Sequence, residues 1–152
     1  MDTIPSLSPR RNVGFRLVVL ARQWRHTIDQ RLQDAGLTDA TWRPLVHLYR
    51  RGDGLRQKDL AGLLGMDGSS LVRLIDLLAQ AGLVERRDDP EDGRAKRLFL
   101  TEQGRERAAE VQGLLFQFET ELLAGLDDQG IDALLKAFDL IESNILNIRP
   151  NE

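Results

Sequence analysis

The chain has 152 residues, 41% of them hydrophobic and 30% charged, a balance that suits one globular domain with room for terminal helices. It contains no cysteine and only two histidines, His26 and His47; this excludes disulfides, thiolate catalysis and cysteine-ligated metal sites, and argues against a histidine-rich one. The net charge of −3 conceals a gradient, with +5 over residues 1–51, −1 over 52–101 and −7 over 102–152, so one end suits phosphate and the other solubility.

Residues 1–12, with Pro5, Pro9, Ser6 and Ser8, show little periodicity and predict a flexible N-terminal arm. From Val13, the apolar positions Leu17, Leu20, Trp24, Ile28 and Leu32 recur every three or four residues. That spacing predicts an amphipathic helix ending near Ala35-Gly36. Thr38 or Asp39 is placed to cap a second helix bearing Trp42, Leu45, Val46 and Tyr49, which stops at the glycines of Arg51-Gly52-Asp53-Gly54. A short helix from Arg56, a turn at Gly65, and a further helix from Gly68 to about Ala81 capped by Asp67 outline a helix-turn-helix.

The period then changes. Leu83-Val84-Glu85-Arg86-Arg87 and Lys96-Arg97-Leu98-Phe99-Leu100 read as strands around a polar tip containing Pro90 and Gly93. A hairpin directly after a helix-turn-helix is a wing. Thr101 caps a long helix and Asp127-Asp128 opens the last one. The expected fold is therefore mainly α with a small β-hairpin, a winged helix-turn-helix in the order α-α-α-α-β-β-α-α. The DNA-binding domain is expected over residues 37–101, flanked by dimerisation helices over 13–36 and 102–147. Helices from both chain ends would interlock with a second copy, although the same stripes would also serve packing within one chain.

Affinity for duplex DNA comes largely from phosphate neutralisation, and sequence is read at base edges. On the second helix of the motif, Ser69 and Ser70 occupy the first turn and Arg73 follows one turn on, away from the Leu71/Leu74/Ile75/Leu78 stripe. The serines suit phosphate or base contacts, and Arg73 suits guanine or phosphate. Arg94 at the hairpin tip suits a narrow minor groove, with Asp92 placed to orient it by a bidentate pair. Arg86, Arg87, Lys96 and Arg97 are expected at phosphates, some of them offsetting Glu85 and Asp88 instead; Gln57 and Lys58 are further phosphate candidates. On the first two helices, Arg22, Arg25, Trp42, Arg43 and His47 combine rings and guanidinium groups suited to a planar carboxylate. The plainer account is a core tryptophan with surface charges.

These segments resemble the MarR family of regulators, and within it the SlyA-like branch, over about residues 13–147. The resemblance is carried by Asp92-Gly93-Arg94 followed by Leu98-Phe99-Leu100-Thr101-Glu102-Gln103-Gly104. Ser70-Leu71-Val72-Arg73 with Asp76 and Gly82-Leu83-Val84, Arg22-Gln23-Trp24-Arg25 with Ile28-Asp29 and Arg31-Leu32, and Leu37-Thr38 with Trp42 add to it. It implies a bacterial homodimeric transcription regulator, commonly a repressor. Such a dimer binds an inverted repeat with its recognition helices in successive major grooves and its wings in flanking minor grooves. Many relatives release DNA when a small aromatic acid or phenol binds between the dimerisation and DNA-reading parts. Arg56 stands where the family commonly has a Ser or Thr cap. The tip acids Asp88, Asp89 and Glu91 would repel phosphate unless held in ion pairs.

No apolar run approaches the roughly 18 residues of a membrane span, and Met1-Asp2-Thr3-Ile4-Pro5 lacks the layout of a secretory signal. The cytoplasm is the expected location. No cofactor or metal is expected. An enzyme would have to use Asp88, Asp89, Glu91 and Asp92, yet no histidine, nucleophile–base pair or phosphate loop lies near them. The stronger rival is a winged helix used as a protein-interaction or architectural module.

Overall fold

The computed structural model of the chain describes residues 8–37 and 40–148. Its elements in order are α1 (Pro9–Asp34), α2 (Trp42–Arg51), β1 (Leu55–Arg56), α3 (Gln57–Leu64), α4 (Gly68–Gln80), β2 (Val84–Asp88), β3 (Lys96–Leu100), α5 (Glu102–Leu122) and α6 (Asp128–Ile148). They divide into two compact units, Met1–Phe118 and Glu119–Glu152.

Local chemistry explains the boundaries. Gly36, just beyond α1, has φ +88°, a conformation open to glycine and strained for other residues. The predicted caps Thr38 and Asp39 lie outside the described residues. Asp67 caps α4 by accepting from the Ser70 N–H at 2.8 Å. Thr101 Oγ1 accepts from the Gly104 N–H at 3.0 Å, and Asp127 accepts from the Gly130 N–H at 2.8 Å. Arg56, at the N-cap position of α3, supplies no side-chain cap.

Two expectations need correction. Helix α1 begins at Pro9, so residues 9–12 are helical and not part of an arm; proline suits the first helical position because its missing N–H has no acceptor there anyway. The expected two-stranded wing is a three-stranded antiparallel sheet of order β1-β3-β2. Its added strand pairs Leu55 with Leu98 and Arg56 with Arg97. The sequence predicts a helix from Arg56 and leaves Leu55 no element of its own. A two-residue strand has no periodicity of its own and exists only through its partner.

The first unit has two apolar centres. One joins α2, α3, α4, the sheet and the start of α5 through Leu48, Leu60, Leu71, Ile75 and Leu98. The other joins α1, α2 and α5 through Ile28, Leu32, Val46, Val111 and Leu115, with Trp24 and Trp42 packed against them. Each fully buried leucine or isoleucine contributes about 1.5–3 kcal/mol. Together they seat the helix-turn-helix on α5. Gly104 makes the join close: a Cβ there would lie 1.9 Å from the Leu83 carbonyl oxygen.

The terminal helices keep apolar surface exposed. In α1, Phe15 is 71% and Val18 60% exposed; in the second unit, no residue of α6 is buried, and Leu140 and Leu146 stand open.

Candidate nucleic-acid interface

The turn between α3 and α4 is made by Gly65 in the left-handed region at φ +62°, followed by the Asp67 cap. This arrangement exposes one face of α4. Ser69 and Arg73 lie on it four residues apart, with Val72 beside them and 38% exposed. Arg73 makes no hydrogen bond or ion pair among the described residues.

The serines are not idle. Ser69 Oγ donates to Asp67 Oδ1 at 2.5 Å and Ser70 Oγ donates to Oδ2 at 2.7 Å. The Ser69 and Ser70 hydroxyls, with the Ser70 N–H, hold the Asp67 carboxyl well below the usual carboxylate range. The serines remain at the exposed start of α4, but their hydroxyl protons are already engaged.

The wing is anchored at its base. Arg86 on β2 forms an ion pair with Asp76 of α4 at 2.6 Å, donates to the Val72 carbonyl at 3.2 Å and to Gln57 Oε1 of α3 at 3.2 Å. Expected at phosphates, Arg86 and Gln57 instead bind the wing to both helices of the motif. Arg87 pairs with Glu85 at 3.1 Å and lies 4.1 Å over the Phe99 ring. Lys96 pairs across the strands with Asp88.

Asp89 turns inward and is held in ion pairs, the condition under which a tip acid does not repel phosphate. It is buried, accepting from Arg56 Nε at 2.7 Å and Arg97 Nε at 3.0 Å. The Glu91 N–H, then the two guanidinium groups, hold its carboxyl below the ordinary range against the upward push of burial. Arg56, which cannot cap α3 through an oxygen, thus serves the wing. The acid cluster is dispersed. Among the described residues no group of three or more His, Asp or Glu side chains is arranged to hold a metal ion.

Arg94 is exposed at the hairpin tip, and its guanidinium has no partner among the described residues. Asp92 does not orient that guanidinium; it accepts from the Arg94 backbone N–H at 3.0 Å and shapes the turn. Arg94 and Lys96 from the wing, Lys58 from α3, and Gly68 and Val72 from α4 line one groove of about 640 Å³. The wing tip and the first turn of α4 therefore border a common basic surface.

Of the five expected effector residues, Trp42, Arg43 and His47 are neighbours on α2, with the Arg43 guanidinium 5.7 Å from the Trp42 ring centroid. Arg43 pairs with Asp29 at 2.5 Å, and His47 Nδ1 lies 2.9 Å from the Arg43 carbonyl on its own helix. Arg22 and Arg25 are exposed on α1. Trp42 lines a cleft of about 290 Å³ between α2, α4 and α5, with Leu77, Leu83, Val111 and Arg107. Leu77 and Arg107 line this cleft without having been expected there. Leu77 is an apolar residue off the core stripe of α4, and that was the available signal.

A three-stranded wing, a capped reading helix and unpaired arginines on both define a winged-helix DNA-binding regulator. A MarR-family model matches residues 35–95. The crystal structure of transcriptional regulator PA3341 is similar at 33% identity, covering 89% of this chain and 98% of that one, with a TM-score of 0.77. A MarR family transcriptional regulator from Silicibacter pomeroyi is 26% identical over 96% of this chain and 99% of its own, with a TM-score of 0.78. CouR from Rhodococcus jostii RHA1, 24% identical over 90% of this chain and 95% of its own at a TM-score of 0.71, shares the fold. The chain belongs to the MarR family of transcription regulators. Among the described residues no helix is long and apolar enough to cross a membrane.

Proposed function

We propose that the chain works in the cytoplasm as a homodimeric repressor that binds an inverted-repeat operator. The two copies of α4 enter successive major grooves, and the two wings place Arg94 in flanking minor grooves. The observation that carries this reading is the division among the cations. Arg56, Arg86, Arg87, Lys96 and Arg97 are engaged within the fold, whereas Arg73 on α4 and Arg94 on the rim of the basic groove are exposed and, among the described residues, without a partner. An unpaired guanidinium is ready for guanine or phosphate without breaking an existing bond. Dimerisation is supported by the apolar residues left open on α1 and α6.

Gel-shift titration tests the DNA contacts. Arg73→Ala is expected to lower specific affinity by about 1–3 kcal/mol and relax sequence preference. Arg94→Ala is expected to weaken binding too. Wild-type affinity in both folded variants would overturn the assignments.

For an effector, the cleft holding Trp42 and Arg107 is the best-supported place, combining a ring face with a guanidinium for a planar aromatic carboxylate or phenol. CouR, of the same fold, is described bound to p-coumaroyl-CoA. Quenching of tryptophan fluorescence by aromatic acids, together with release of DNA, is the expected result. No response across a panel of such acids would remove this part.

A further inference from the structure

The reading face of α4 has a fixed hydrogen-bond polarity. An ionised carboxylate only accepts, so each hydrogen bond between Asp67 and a serine hydroxyl uses that hydroxyl's single proton. Outward, Ser69 and Ser70 then offer lone pairs alone. Phosphate oxygens, guanine O6 and N7, thymine O4 and adenine N7 are all acceptors and make no bond with such a group. The groups in the major groove that do are the exocyclic amino hydrogens of adenine N6 and cytosine N4. Arg73 has the opposite polarity, donors only, and is unpaired. It lies four residues after Ser69, a rise of about 6 Å along the helix, or just under two base-pair steps.

We infer that Ser69 and Ser70, oriented by Asp67, read an exocyclic amino group of adenine or cytosine, within about two base pairs of a guanine read by Arg73. Asp67 is a positioning residue: it sets which way the hydroxyl protons point. This rests on the reading that α4 enters the major groove, and it narrows the serines from phosphate-or-base contacts to acceptors of a base amine. The negative charge of Asp67 also turns the first turn of α4 away from phosphate.

The test is selection of duplexes from a random pool by the purified full-length chain, followed by single replacement of each selected adenine by N6-methyladenine and each cytosine by N4-methylcytosine. Methylation replaces the amino hydrogen that faces the groove and leaves base pairing intact. The wild type is expected to lose about tenfold in affinity at one such base per half-site; which methylated base does so separates adenine from cytosine. Asp67→Asn keeps an equally good cap but replaces Oδ2, the acceptor of the Ser70 proton, with an amide donor, so Ser70 turns its proton outward and selects guanine or thymine. Ser69→Ala removes the other acceptor and tests the same face without touching the cap. The inference is overturned if no methylated base weakens the wild type, or if both variants select the wild-type sequence. Failure of the wild type to enrich any duplex would instead sink the DNA-binding reading beneath it.

Discussion

At the scale of single residues, Gly104 has the least room for a side chain of the glycines in the structure. Its missing Cβ would fall on the Leu83 carbonyl, a backbone atom that cannot rotate aside. Gly104→Ala is expected to destabilise the protein by about 3 kcal/mol, at the upper end of overpacking costs, measured by urea unfolding. Asp89 and Asp53 make the fold sensitive to acid. Arg105 and the Leu100 N–H hold Asp53 down, and the Glu91 N–H with Arg56 and Arg97 holds Asp89 down. A carboxylate whose pKa is lower in the folded state adds stability that is fully present above its unfolded value near 4 and is lost as the pH falls through the folded one. Stability should therefore decline below about pH 4. Thermal unfolding followed across that range should show a shallower acid limb in Asp89→Asn; an unchanged limb would remove Asp89 from this account.

At the scale of elements, Arg86 ties the wing to the reading helix by joining β2 to α4 and α3. Arg86→Ala is expected to cost only about 1 kcal/mol, since the pair is partly exposed. Amide hydrogen exchange across β2 and β3 should nonetheless speed up more than exchange in α4. Equal changes in both elements would argue against a bracing role. The caps of α4 and α5 were legible in the sequence because a cap is a local signal: Asp67 and Ser70 are three residues apart, as are Thr101 and Gly104; α2 instead starts behind Thr41, three and two residues after the expected Thr38 and Asp39. The helical start at Pro9 was equally local, with Ser8 and Pro9 as its signal, and was read as an arm for want of apolar periodicity. What a charged residue pairs with was not legible. Arg86, Arg97 and Asp89 look like surface charges in sequence, and only folding brings Asp89 between Arg56 and Arg97 or Arg86 beside Asp76. The strand Leu55–Arg56 was hidden for the same reason, its partner lying far along the chain.

At the scale of the whole molecule, the proposed function requires two copies acting together. Phe15, 71% exposed on α1, is a large apolar side chain for a partner copy to cover. Phe15→Asp is expected to weaken self-association by about tenfold or more through an unpaired charge in an apolar contact, read by sedimentation at micromolar concentration. The salt slope of DNA binding should fall at the same time, since one copy neutralises fewer phosphates. An unaltered sedimentation coefficient would place the contact elsewhere.

Both legs of the wing are tied to the first turn of α5. The Thr101 N–H donates to the Leu83 carbonyl at 3.1 Å, Thr101 Oγ1 donates to the Gly82 carbonyl at 2.6 Å, and the bare Cα of Gly104 abuts the same Leu83 carbonyl. If α5 rolls about its own axis by a few degrees, the hairpin must swing with it, and the lever multiplies that small roll into a larger sweep of Arg94 at the far end. The length of the wing is in this sense the gain of a mechanical amplifier, and shortening its tip would make the protein less responsive to whatever turns α5.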